Sequence, residues 1–222
     1  MSNPKPIVIL GSIAAVVIAA TIGILTLANN ATRSSTPVVA GNTLVRTDSP
    51  SVGDENSKVT LVEFLDPECE ACASIHPLVK ELKAKYETKM RFVVRYMPLH
   101  SNSVLAASAM EAAGEQGKYW EYMDIVYRAQ SEWAPPHDGS APKIQPRAAF
   151  IQYAGYLNLD KALFEKSMDD PKKAAKVARD REDGVAAGVK GTPTFFLNGA
   201  ILELQSRGDL EAALIRAIES AN

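Results

Sequence analysis

Residues 59–72 read Val59-Thr60-Leu61-Val62-Glu63-Phe64-Leu65-Asp66-Pro67-Glu68-Cys69-Glu70-Ala71-Cys72 and contain both cysteines of the chain. The first seven form a mostly apolar run of strand length, with Glu63 its one charged residue. From Cys72 to Tyr86, Ile75, Leu78, Val79, Leu82 and Tyr86 recur at helical spacing, and Pro77 inside that pattern is expected to kink the helix. The cysteine pair therefore falls where a strand ends and a helix begins. Two intervening residues there let the sulfurs approach bonding distance. The unpaired N–H groups and partial positive charge of a helix start favour thiolate over thiol. Cys69, on the first exposed turn, takes most of that effect and is the expected nucleophile. Cys72 is the expected resolving thiol, and exchange would run through a mixed disulfide on Cys69. The Cys69–Cys72 disulfide is itself the redox group, so no cofactor is expected.

Beyond the helix, Arg91 to Met97 reads as a second strand, and strand–helix–strand favours a parallel βαβ unit. Ser103 to Val189 is almost wholly helical in pattern and rich in alanine. A loop from Ala134-Pro135-Pro136 to Pro146 interrupts it, and helices are expected at Arg147–Tyr156, Asp160–Met168 and Lys172–Ala187. Strand character returns at Thr194–Leu197. Asn198-Gly199 is a type I′ hairpin signal before Ala200–Leu204. A last helix is expected from about Asp209 to Glu219, with Asp209 as its N-cap. The whole is an α/β pattern: β-α-β, a helical block, then β-β-α.

The chain has 222 residues, 46% hydrophobic and 23% charged, with a net charge of −2. These values exclude a disordered tail, a collagen-like fibre and a multi-span membrane protein. There is no basic excess of the kind that marks nucleic-acid binding. Ile7 to Ala28 is 22 residues without a charge, roughly 33 Å as a helix and enough to span a bilayer core. It is expected to be an uncleaved anchor. A cleaved signal peptide is the rival reading, but its apolar stretch would be shorter and no small-x-small site follows. Residues 29–50 are rich in Ser, Thr, Asn and Pro and read as a tether, which leaves 51–222 as the folded domain.

A C-x-x-C pair has other uses. It can be half of a zinc site, completed by His76, His100, His137 or carboxylates, although no second pair stands at finger spacing. It can also be a plain structural disulfide, whose four-residue loop would stabilise little. His76 is expected half-exposed on the helix after Cys72. His100 is expected in a loop or packing role, and His137 lies in the proline-rich loop with no evident partner.

The strand carrying Glu63-Phe64, the turn from Asp66 to Cys72, and Gly191-Thr192-Pro193-Thr194-Phe195-Phe196 before the hairpin together resemble thioredoxin-fold proteins. The helical stretch at about 103–190 is similar to the insertion of DsbA-like thiol–disulfide oxidoreductases, and the resemblance covers about residues 51–222. It implies a thioredoxin fold with a helical insertion between its βαβ and ββα halves. It implies that Pro193 is a cis-proline facing the cysteines, and that the Thr192 backbone pairs with substrate near Cys69. Glu63 matches the family's buried acid, with a role in accepting or relaying a proton when Cys72 attacks a mixed disulfide. Glu70 and Ala71, between the cysteines, would tune the redox balance. The implied setting is the bacterial cell envelope, inner-membrane anchored through residues 7–28, with the domain on the periplasmic or extracytoplasmic side. The implied partners are cysteine-containing secreted or envelope proteins and a membrane protein that re-oxidises or reduces the cysteine pair. Asp66, Glu68 and Glu70 put negative charge near Cys69, which should oppose the thiolate and give a milder oxidant, or even a reductant. Disulfide reduction or isomerisation on the same fold stays open, as does a non-catalytic peptide-binding or holdase module.

Overall fold

The computed structural model describes residues 43–221; the apolar segment at 7–28 and most of the expected tether lie outside them. Among the described residues no helix is long and apolar enough to cross a membrane. Five strands form one sheet: β1 (Ser51–Gly53), β2 (Thr60–Leu65), β3 (Arg91–Tyr96), β4 (Thr194–Leu197) and β5 (Ala200–Ile201). Their order is β1-β3-β2-β4-β5. β2 and β3 run parallel, from Thr60 opposite Arg91 to Leu65 opposite Tyr96. The crossover between them is helix α1 (Glu70–Lys85), which continues through Pro77. β4 lies antiparallel to β2 and places Thr194 opposite Phe64. That register brings the residues just before β4 to the end of the sheet where β2 leads into Cys69. Antiparallel pairing also joins β1 to β3 and β4 to β5.

The central strands are apolar because both faces are covered. Successive side chains point to opposite faces. Leu61, Leu65, Phe92, Val94 and Phe195 join the larger core with Val79 and Leu82 of α1. Val62, Phe64, Val93 and Phe196 join a smaller core with Leu44, Met97 and Val189. The alternation sets Glu63 on the same face as Leu61 and Leu65, towards α1. The hairpin at Asn198-Gly199 has positive φ at both residues, 50° and 85°, as a type I′ turn requires.

Between β3 and β4 lie α2 (Ser103–Glu115), α3 (Tyr119–Arg128), the short α4 (Gln130–Trp133), α5 (Pro146–Tyr156), α6 (Lys161–Met168) and α7 (Pro171–Ala186). The alanines at 106, 107, 109, 112 and 113 are fully buried, their small side chains allowing neighbouring helices to close on α2. α5 and α7 start one residue earlier than expected, because Pro146 and Pro171 take the first helical position, where a missing N–H costs nothing. Asp160 and Asp170 cap α6 and α7 by accepting from Leu163 N–H and Lys172 N–H. The last helix, α8 (Arg207–Ala221), corrects the expected boundary. Asp209 lies inside its first turn and reaches back to the N–H groups of Ser206 (2.7 Å) and Gln205 (2.8 Å). It is the reciprocal half of a capping box rather than the cap itself.

The stretch expected to be a tether differs at its C-terminal end. Leu44 is buried, and Arg46 holds Asp183 of α7 through two bonds. Arg95 of β3 is fully buried. It donates to the carbonyls of Thr43 and Leu44 and to the carboxylates of Asp180 and Asp183. Residues 43–50 therefore belong to the folded body, and β1 adds an edge strand that the composition did not show. A Ser/Thr/Pro-rich segment is read as loose from its average, whereas two anchoring side chains suffice to fix it.

Candidate active site

Cys69 is the N-cap residue of α1, with extended backbone (φ −75°, ψ 123°) and no capping side-chain bond. Its N–H bonds the Asp66 carbonyl and its carbonyl accepts from Ala73 N–H, both at 3.1 Å, so turn and helix are continuous. Both cysteines are free thiols, Cys69 partly exposed and Cys72 buried. The Cys69 pKa falls to about 5. The hydrogen bond with the Cys72 side chain does most of this, against burial; Thr192 and the backbone N–H groups of Cys72 and Ala71 add to it. Burial pushes the Cys72 thiol far the other way, helped by Cys69 and by Glu63 wherever it is ionised. One helical turn therefore separates a sulfur that ionises readily from one that does not.

Each of the three nearby acids has a partner of its own. Asp66 is fully buried, and its carboxylate accepts from Glu68 N–H (2.8 Å), Leu99 N–H (2.7 Å) and His100 Nδ1 (2.7 Å). Glu68 is buried against the Asn102 backbone N–H (2.6 Å) and side-chain amide (2.9 Å). Glu70 is exposed and lies 3.1 Å from His137. The acids are engaged with their own partners, and hydrogen bonds to sulfur dominate at Cys69. The helical block also pins this turn. Gln130 donates to the carbonyls of Pro67 (3.0 Å) and Cys69 (3.1 Å), and Tyr127 reaches the Asp66 carbonyl at 3.5 Å.

Glu63 is 2% exposed, so it is not a solvent-facing strand residue. Its Oε2 is buried with no hydrogen-bond partner. Burial pushes its pKa up to about 8 against the pull of Lys83, so it holds a proton at neutral pH. Lys83 is itself lowered to about 8, chiefly by burial, with its ammonium 4.0 Å from the Trp120 ring centroid. Thr192-Pro193 is a cis peptide. The Thr192 carbonyl accepts from the Cys69 thiol at 3.4 Å, while the Thr192 hydroxyl is buried without a partner. Glu70 and Ala71 lie exposed on the first turn of α1. Beside Cys69 opens a groove of about 690 Å³, bordered by Glu70, His100, Gln130, Pro135 and His137.

Among the described residues no three His, Cys, Asp or Glu side chains converge as metal ligands. His76 is buried rather than half-exposed, with Nε2 2.7 Å from Asp124 and its ring against Tyr127. His100 lies in the loop, as expected, and borders the groove beside Cys69 rather than packing into the core. Gln130, from the helical block, borders it too. The one signal for His100 was position, because the loop after β3 leaves the same sheet end as the loop after β2; Gln130 had none.

A family model described as Thioredoxin matches residues 46–216. A thioredoxin-like oxidoreductase from Silicibacter pomeroyi is similar at TM-score 0.66 and 25% identity, over 82% of this chain and 99% of that one. Wolbachia pipientis alpha-DsbA1 shares the fold at TM-score 0.67 and 18% identity, over 80% and 94% of the two chains. In sequence the chain is similar to the Na(+)/H(+) antiporter NhaA of Herminiimonas arsenicoxydans, 35% identical over 170 residues, which is 77% of this chain and 25% of that protein. The chain thus spans about a quarter of the length of such curated relatives.

Proposed function

Because this chain belongs to the thioredoxin family, we propose that it is a DsbA-like thiol–disulfide oxidoreductase that passes its Cys69–Cys72 disulfide to translocated proteins. The single observation that supports this most is the asymmetry of the two thiols: Cys69 acidic and accessible beside the cis Thr192-Pro193 bond, Cys72 buried and weakly acidic. A substrate thiolate attacks Cys69 Sγ. The Cys69–Cys72 bond breaks, and Cys72 leaves with the electron pair. Buried as it is, that sulfur requires a proton, and protonated Glu63 on the neighbouring strand is the donor in this reading. A second substrate thiolate then attacks the substrate sulfur of the mixed disulfide and expels Cys69 as a stabilised thiolate. The substrate loses two electrons and the cysteine pair gains them. Thr192 and Pro193 line the substrate's approach, and Glu70 and Ala71 tune the pair from the groove mouth.

The setting follows from the same reading. Substrates are cysteine-containing secreted or envelope proteins, the domain stands outside the cytoplasm, and residues 7–28 tie it to the inner membrane. A membrane protein re-oxidises the pair. Cation exchange is not carried over from the antiporter relatives, since the match covers only about a quarter of them.

The test is trapping. With a dithiol peptide and an oxidising glutathione buffer, full-length Cys72→Ser accumulates a mixed disulfide on Cys69, and Cys69→Ser loses exchange. Exchange that survives in Cys69→Ser would defeat the proposal. Peptide binding that survives without any exchange in the unmodified chain would favour a holdase.

A further inference from the structure

We propose that His100 is a cation that adds to the stabilisation of the Cys69 thiolate, fixed in place by buried Asp66. A side chain from the loop between β3 and α2 would then supply the positive charge that neither Glu70 nor Ala71 carries between the cysteines. The inference rests on the oxidoreductase reading above and adds a residue to it.

Geometry carries it. His100 Nδ1 is 2.7 Å from Asp66 Oδ2, and the same carboxylate is anchored by the N–H groups of Glu68 and Leu99. With Nδ1 on Asp66, the Nε2 edge is left for the groove. The side chain is 46% exposed there and borders the same space as Cys69. Asp66 lies on the turn that delivers Cys69, whose N–H bonds the Asp66 carbonyl, so ring and sulfur are positioned by one residue. Burial lowers the His100 pKa, but the hydrogen bond and charge of Asp66, with the charges of Cys69 and Glu68, leave it raised overall.

The other charged groups facing this place are accounted for. Glu68 is spent on Asn102, and Glu70 on the first turn of α1 pairs with His137 from the loop after α4. Removing the imidazolium takes away a cation and leaves the Asp66 carboxylate to the N–H groups of Glu68 and Leu99 alone.

Linkage supplies a test that needs no variant. If the imidazolium stabilises the thiolate, the thiolate stabilises the imidazolium by the same free energy. The His100 ring should therefore titrate at higher pH in the reduced full-length chain than in the oxidised one, read from its own NMR signal. In His100→Gln, which keeps a donor for Asp66 but no charge, the thiolate absorbance at pH values below the wild-type midpoint should fall about tenfold. The reduction potential should move towards the reducing side. A His100 midpoint identical in both redox states, or an unchanged thiolate titration in His100→Gln, would overturn this inference alone. A wild-type chain with no Cys69–Cys72 redox transition in glutathione buffers would overturn the oxidoreductase reading as well.

Discussion

Replacing Glu63 by Gln should stabilise the protein, and by an amount that depends on pH. The carboxyl is 2% exposed and titrates at about 8 in the folded chain, against 4.5 as its ordinary value. An acid whose folded pKa is raised destabilises the fold wherever the unfolded chain has released the proton and the folded chain has not. The cost begins near pH 4.5, grows to about pH 8, and is constant above it. At pH 7 the gap from 4.5 at 1.36 kcal/mol per pH unit corresponds to about 3 kcal/mol. Glutamine mimics the neutral acid, so Glu63→Gln and wild type should be nearly equal in stability at pH 4.5 and should diverge by about 3 kcal/mol at pH 7. Urea denaturation of the full-length chain at pH 4.5, 7 and 8.5, with the cysteines held in one redox state, reads the difference directly. A stability gap that is the same at all three pH values would refute the reasoning. The same variant should slow proton delivery to Cys72 and so slow formation of the mixed disulfide.

The remaining predictions concern redox balance and packing. A Cys69 thiol at about 5 lies between the thioredoxin value of about 7 and the DsbA value of about 3.5. Equilibration with glutathione should give a reduction potential between about −270 and −120 mV; a value outside that interval would break the link drawn between thiolate stability and potential. Arg95→Met leaves the buried carboxylate of Asp180 only the Tyr96 N–H and Arg179 at 3.6 Å, and weakens the hold on residues 43 and 44. A loss of about 3–5 kcal/mol is expected in denaturant melts, with earlier proteolysis near residue 46. Gly184→Ala would put a methyl 2.9 Å from the Phe64 ring and 3.3 Å from Met97 Sδ. It should cost about 1–3 kcal/mol, and a melting temperature equal to wild type would show that Phe64 yields.

Local pattern decided much of this molecule. The apolar run at 59–65, the helical spacing after Cys72, the hairpin at Asn198-Gly199 and the alanine-rich stretch after Ser103 each specify their element through near neighbours. The sequence alone therefore determined the order β-α-β, helical block, β-β-α, and placed both cysteines at the start of a helix. It also singled out Glu63 as a carboxylate in an apolar strand, while Pro193 came only from the family resemblance. It could not say which partners the polar groups would find, because those partners come from distant segments. Asp66, Glu68 and Glu70 look like a block of repelling charge when read in a row. In three dimensions two of them meet N–H donors from residues 99–102 and the third meets His137. His100 is 31 residues from Cys69 in the chain and borders the same groove only because β2 and β3 end at one edge of the sheet. Leu44 and Arg46 look like tether residues until Arg95 and Asp183 are seen to receive them. Period and turn chemistry are properties of a few adjacent residues and can be read in one dimension. Burial, charge compensation and the acidity of a thiol depend on what the rest of the chain brings alongside, and only the tertiary structure decided them.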